Sequence, residues 1–267
     1  MKISKFIALS TIFVATFSFV SCSSDDDDES NSKAGEFENA TNPSNRAKNA
    51  NHEFVDLGLP SGTLWASCNI GAEKPEEFGN YFAWGEVEPK KAYSWSSYKW
   101  MNKKQGENLE LQVNKYTCAD HNGGAFWYSG DTFTGDGVME LKPEDDAATV
   151  NWGSDWCMPS SEQIKELINS DNTTTVLTTQ NEVNGLLITS KKNNKSIFLP
   201  ATGFYNEDYL IGSHSEDGLS GAYWTRSLCP YYSYDVFILR FSQDDITLTD
   251  AWARCFGQPV RPVRSSK

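Results

Sequence analysis

Residues able to carry chemistry are sparse in this chain, and their spacing narrows what they could do. There are three histidines, His52, His121 and His214. His52 sits at the edge of the domain, and the other two sit in polar, glycine-flanked stretches. That is the setting of surface imidazoles rather than of a proton relay beside a nucleophile. Neither HExxH nor a phosphate-cradling glycine loop occurs. Of six cysteines, five follow Cys22: Cys68, Cys118, Cys157, Cys229 and Cys255. Their spacings are long and irregular with no CxxC, which argues against a structural zinc. An odd number leaves at least one thiol unpaired in a monomer. Cys229 and Cys255, the C-terminal two, are either a disulfide or free thiols, and small buried hydrophobes are an equal reading for all five.

Two further groups have types suited to binding. Asp131, Asp136, Glu140, Asp145 and Asp146 cluster in sequence, and calcium requires six to eight oxygens; they are the candidate set for a structural calcium. Solvated loop carboxylates and a helix N-terminus explain the same pattern without a metal. No other cofactor is implied. Tyr93, Trp95, Tyr98 and Trp100 form an aromatic run. Each ring offers an apolar face and a polar edge, suited to stacking on a sugar ring or a protein ligand, or else to filling a core beneath a long loop.

The elements that must position these residues are short. Phe54 to Gly58 and Thr63 to Ile70, joined by Pro60-Ser61-Gly62, read as a hairpin. Tyr81 to Gly85 is another strand-like piece, and residues 86 to 142 read as long loops. Pro143 followed by acids suits a helix start, with Gly153 ending it. Ser160 is an N-cap and Gln163 closes a capping box, with Ile164, Leu167 and Ile168 on one face. Strand-rich segments follow at 173–179, 185–190, 196–199, 222–226, 235–241 and 260–263. Helices early and strands late predict an α+β class, in one domain over residues 51–267. The chain is acidic, with a formal charge of −13, which excludes phosphate-backbone contacts and hence nucleic acid as a partner. Nothing in the sequence fixes an oligomeric state.

The N-terminus reads as an address. Lys2 and Lys5 precede an apolar run from Phe6 to Val20, too short to cross a bilayer, so residues 1–21 are a secretory signal. Phe19-Val20-Ser21-Cys22 resembles the lipobox of bacterial lipoproteins. That resemblance implies cleavage before Cys22 and acylation of the cysteine, making the lipid the link to the membrane. Residues 23–29, Ser-Ser-Asp-Asp-Asp-Asp-Glu, resemble the acidic signal of surface-exposed lipoproteins in Bacteroidetes-type bacteria. This implies an outer-membrane anchor facing the cell exterior. Residues 22–50 are polar and acidic, a tether rather than a fold.

Three ordered blocks carry a wider resemblance. They are residues 55–72 with Tyr81 to Glu86; Asp146 to Ala148 through Asn151-Trp152-Gly153 to Met158-Pro159-Ser160; and Phe198 to Gly203, Ala222 to Ser227, Gly257 and Val260-Arg261-Pro262-Val263. Together they resemble the Fibrobacter succinogenes major paralogous domain family over residues 54–264. That family is similar to formylglycine-generating enzymes and, distantly, to the C-type lectin fold. The resemblance implies a single C-type-lectin-like domain of short mixed or antiparallel sheets with two helices and long loops. The family carries no assigned activity; the lipid anchor, the acidic tether, the loop-rich domain and the aromatic run point instead to a non-enzymatic binding or adhesion role toward a glycan or protein, with a purely structural envelope role as another reading. A copper-dependent oxidase of the formylglycine-generating type is disfavoured, because Pro262 stands where that enzyme's terminal cysteine would be. Cys157 and Thr149 also depart from the family's usual arginine and histidine.

Overall fold

A computed structural model describes residues 52–102, 112–119, 127–129, 132–212 and 219–265. Cys22, the signal at 1–21, the tether at 22–50, His121, Asp131 and His214 lie outside the described residues. In chain order the elements are β1 (Phe54–Asp56), β2 (Thr63–Ala66), β3 (Tyr81–Phe82), β4 (Tyr128–Ser129), β5 (Thr132–Phe133), α1 (Ala147–Trp152) and α2 (Ser161–Ile168). Then come β6 (Thr173–Gln180), β7 (Val183–Ser190), β8 (Ser196–Pro200), β9 (Phe204–Asn206), β10 (Tyr209–Ile211), β11 (Gly221–Leu228), β12 (Asp235–Phe241), β13 (Ile246–Ala253), β14 (Gln258–Pro259) and β15 (Val263–Ser265). Strand dominates, with two α-helices among the described residues, an α+β or mostly β arrangement.

The opening hairpin forms as its turn residues require. Gly62 has φ 71°, a left-handed conformation that glycine adopts without a Cβ penalty, and its N–H donates to Leu59 O at 2.9 Å. β2 is the centre of the first sheet: Trp65 pairs with Val55 on one side and Val263 on the other. The last strand of the chain is thereby stitched to the first hairpin. Two antiparallel meanders, β6-β7-β8 and β11-β12-β13, form the larger sheets, and β3/β14, β4/β5 and β9/β10 are two-stranded pairs.

Both helices owe their starts to side chains. The first begins later than Pro143 suggests. Residues Pro143–Asp145 make a 3-10 turn, and Asp146 is the true cap, its Oδ1 accepting from Ala148 N (2.8 Å) and Thr149 N (3.0 Å). Gly153 ends the helix as expected. The second helix carries the expected reciprocal box: Gln163 N donates to Ser160 Oγ at 3.2 Å and Ser160 N to Gln163 Oε1 at 2.9 Å. Its buried face, Ile164 and Leu167, packs in a core group with Trp65, Leu186, Tyr223 and Phe241. A second group gathers Trp84, Tyr116, Trp156 and Trp224 around α1, and a third gathers Tyr93, Tyr98, Met101, Val113 and Trp127. Trp84 Nε1 donates to Thr225 O (2.8 Å) and Trp224 Nε1 to Phe82 O (2.7 Å), so the two indoles tie β11 to the segment around β3 reciprocally.

Two arginines are wholly buried with neutral partners. Arg261 donates to Asn69 Oδ1 (2.8 Å), Ala66 O (3.2 Å), Ser67 O (2.9 Å) and Phe198 O (3.0 Å). Arg254 donates to Tyr98 Oη (2.7 Å), Tyr116 O (2.9 Å), Ser233 O (2.8 Å) and Lys115 O (2.9 Å), and lies over the ring of Trp84 at 4.7 Å. Each planar fork satisfies carbonyls from segments distant in sequence, a task for which guanidinium suits better than ammonium.

Candidate functional site

The aromatic run at 93–100 is held in place from behind. Tyr93 exchanges two backbone hydrogen bonds with Glu207, both 2.8 Å, so the run is fastened to the turn of the β9–β10 hairpin. The Tyr93 hydroxyl donates to Tyr81 O at 2.6 Å, and its ring stacks on Tyr205 at 5.7 Å. A Cβ at Gly257 would lie 2.8 Å from the Tyr93 ring, so only glycine permits this seat. Tyr98 is fully buried; its hydroxyl donates to Trp84 O at 2.7 Å and accepts from Arg254 Nε. Burial pushes the Tyr93 phenol up to about 12 and raises that of Tyr98 as well. These two rings are core.

The two tryptophans differ. Trp100 is half-buried, donates from Nε1 to Gly85 O at 2.9 Å, and has the ammonium groups of Lys99 and Lys115 at 4.1 and 4.4 Å from its ring centre. Those cations take up ring surface that a sugar would need. Trp95 opens the 3-10 turn Trp95–Ser97, is half-buried and meets Tyr98 edge-on at 5.8 Å. Across the Tyr93–Glu207 bridge, β10 presents Tyr209 at 70% exposure and Ile211 at 43%. The half-buried Trp95 and the exposed Tyr209 and Ile211 thus belong to two segments bonded to one another. Tyr209 and Ile211 escaped the reading of the sequence, although the turn residues Asn206-Glu207-Asp208 beside an apolar triplet signal a hairpin.

The acidic residues are engaged as structural acceptors. Asp136 accepts from Tyr116 N (2.7 Å), Thr117 N (2.8 Å) and Val138 N (3.1 Å). Burial works to raise its carboxyl, but these donors outweigh it and hold the group below the ordinary range. Asp145 is likewise raised by burial and lowered further by Lys115, Tyr116 and Lys99, for a net depression; Tyr116 Oη donates to it at 2.6 Å and Lys115 pairs with it. Asp146 caps α1 and also accepts from Met158 N at 2.9 Å; burial pushes its carboxyl up. Glu140 accepts from Arg226 Nε at 3.0 Å and Ser227 Oγ at 3.3 Å. Among the described residues no group of three or more His, Cys, Asp or Glu is placed to hold a metal. Asp131 is outside the described residues.

The cysteines require a correction. All five described cysteines, Cys229 and Cys255 included, are free thiols. The strands leading to these two, β11 and β13, flank β12. Two strand spacings of about 4.8 Å exceed the Cα separation of about 7 Å that a disulfide tolerates. Burial pushes the Cys255 thiol up to about 12 and raises that of Cys229, so neither is a ready thiolate for soft-metal binding. His52 is half-buried rather than at the surface: its ring stacks on Trp152 at 3.6 Å and burial lowers its pKa. No family model, curated protein or solved structure matches this chain.

Proposed function

We propose that this protein is a lipoprotein anchored through Cys22 to the outer membrane, displaying a non-enzymatic binding module for a glycan or protein ligand at the cell exterior. In this reading residues 54–264 are a Fibrobacter succinogenes major paralogous domain with a C-type-lectin-like fold. The motif blocks named above support it, as do the two short helices, the small antiparallel sheets and the connecting loops. The observation that carries the binding role is the joined surface of the 93–100 run and the β9–β10 hairpin. It presents Trp95 and Tyr209 on backbone fixed by the Tyr93–Glu207 bonds. Rings on a pre-organised support bind with less ordering cost than rings on a free loop.

A glycan and extracellular-protein array probed with purified protein tests the module. A ligand whose binding falls at least tenfold in both Trp95→Ala and Tyr209→Ala supports the assignment, and binding indifferent to both changes refutes it. Incorporation of labelled fatty acid, lost in Cys22→Ala, tests the anchor separately; cleavage of the domain by protease added to intact cells tests its outward display.

A further inference from the structure

A cavity of about 420 Å³ lies on another part of the domain, between β15 and the segment that follows α1. Its walls include Pro143, Thr149, Trp156, Cys157, Arg264 and Ser265, with Ser154 and Asp155 at the side. The walls are fixed by backbone: Cys157 and Val263 exchange two hydrogen bonds of 2.9 Å, Trp156 N donates to Gly153 O at 3.0 Å, and Thr149 Oγ1 donates to Trp156 O at 2.8 Å. Its volume falls in the range of small-ligand sites.

The chemistry centres on Arg264. Its guanidinium lies against the rings of Phe54 (5.3 Å) and Trp156 (5.4 Å), which hold the planar fork in one orientation. Its Nε–H is buried and has no hydrogen-bond partner among the described residues. Among the described residues its ion pair is Nη2 to Asp155 Oδ2, 3.5 Å long, to a carboxylate whose side chain is 55% exposed. A charge-assisted bond of good geometry is nearer 2.7–2.9 Å. Arg254 and Arg261 show what this chain does with an arginine required for structure: every nitrogen finds an oxygen. The Nε–H is shut away from the cavity, but the fork lines it and its Nη2 has only a long contact to Asp155, so the terminal Nη edge is a receptor for a planar anion, since carboxylate matches the spacing of two parallel N–H groups. The Cys157 thiol, pushed up to about 11 by burial, stays neutral and adds no opposing charge. Pro143, Trp156 and Cys157 give the rest of the ligand an apolar wall.

We propose that this cavity binds a small ligand bearing a carboxylate, with Arg264 receiving the anion and the Pro143–Trp156–Cys157 wall receiving its ring or side-chain body. The carboxylate could belong to an acidic sugar or to the end of a peptide. This proposal does not depend on the Trp95–Tyr209 surface, which lies on other segments.

Calorimetric titration with D-glucuronate against D-glucose, with D-galacturonate against D-galactose, and with an N-acetylated dipeptide acid against its amide, tests it. At least one acid is expected to bind ten times or more tightly than its neutral counterpart. That preference should vanish in Arg264→Gln, which should keep the wild-type melting profile, and binding should be blocked in Ser154→Trp, which fills the cavity. Preference for uronates alone assigns a saccharide; preference for the peptide acid alone assigns a chain terminus. If no acid binds, if neutral and acidic forms bind equally, or if Arg264→Gln binds as the wild type does, the proposal is overturned.

Discussion

Arg261 and Arg264 stand three positions apart near the end of the chain and share a residue type, yet they do opposite things. The fork of Arg261 is closed: four oxygens from Ala66, Ser67, Asn69 and Phe198 surround it, and burial lowers its pKa without any carboxylate to offset the desolvation. The fork of Arg264 is open, with a loose contact to Asp155, the rings of Phe54 and Trp156 at 5.3 and 5.4 Å and a buried Nε–H without a partner among the described residues. A buried guanidinium is tolerated only when nearly all its donors are met. The same physics read in reverse makes an incompletely met guanidinium beside a cavity the place to look for a ligand. The fold assigns each role by depth: Arg261 sits under the β2–β15 edge where three segments converge, whereas Arg264 emerges on β15 beside the cavity.

The sharpest way to break this comparison is to remove the closed fork. Arg261→Ala is expected to cost on the order of 4 kcal/mol, because several buried acceptors lose charged donors and a void is left. Arg261→Lys should recover less than half of that, since one ammonium cannot reach all four oxygens. A loss below about 1 kcal/mol in urea denaturation would show that Arg261 is no hub. Asp146 is the acidic counterpart, a buried side chain with its acceptors engaged. Asp146→Ala should cost about 2–3 kcal/mol through the lost α1 cap and the orphaned Met158 N–H, read as a lowered denaturation midpoint.

Asp235 is a half-buried acid of the opposite kind. Burial and the nearby charge of Asp250 push its carboxyl up to about 6 from an ordinary 3.8. A carboxyl raised on folding holds its proton more tightly in the folded state, so its stabilising contribution is complete below about pH 4 and is lost as pH climbs through about 6. Asp235→Asn should therefore flatten the pH dependence of stability in that window and raise stability at pH 7 by about 1 kcal/mol after discounting for solvent screening. Melting curves from pH 3.5 to 7.5 check it, and an unchanged slope would contradict the assignment. Smallest of all is the open fork: Arg264→Gln should change stability by no more than about 0.5 kcal/mol, because its ion pair is long and partly exposed. A larger loss would make Arg264 structural and remove the contrast with Arg261.

Much of the scaffold was legible because its signals are local. The Ser160–Gln163 box, the Gly62 turn and the β-branched run at Thr173 each encode their conformation within a few residues. β13 escaped notice because Ile246–Ala253 mixes polar and apolar residues and most of them end half-buried, leaving no clean alternation. The start of α1 was misplaced because Pro143 and Asp146 are both good initiators, and only the Met158 N–H, brought close by the chain's return, favours Asp146. The aromatic run was legible as a run but not as a platform: Tyr93 and Tyr98 have the same ring chemistry whether they face a ligand or a core. Gly257 and Arg254, far away in sequence, decided for the core. Arg264 carried no signal at all, for an arginine near a C-terminus looks like any surface charge.

The sequence by itself determined where α2 and the opening turn begin, the strand-rich second half, and the acidic balance that disfavours phosphate backbones, because capping, periodicity and net charge depend on neighbours along the chain or on simple sums. The tertiary structure alone decided which arginine is closed and which is open, which rings are core, and that Cys229 and Cys255 stay apart. Each of those depends on whether an atom from a distant segment arrives within about 3 Å to satisfy a donor or within about 4 Å to exclude water, and such arrivals are set by strand order and packing rather than by any neighbour in the chain.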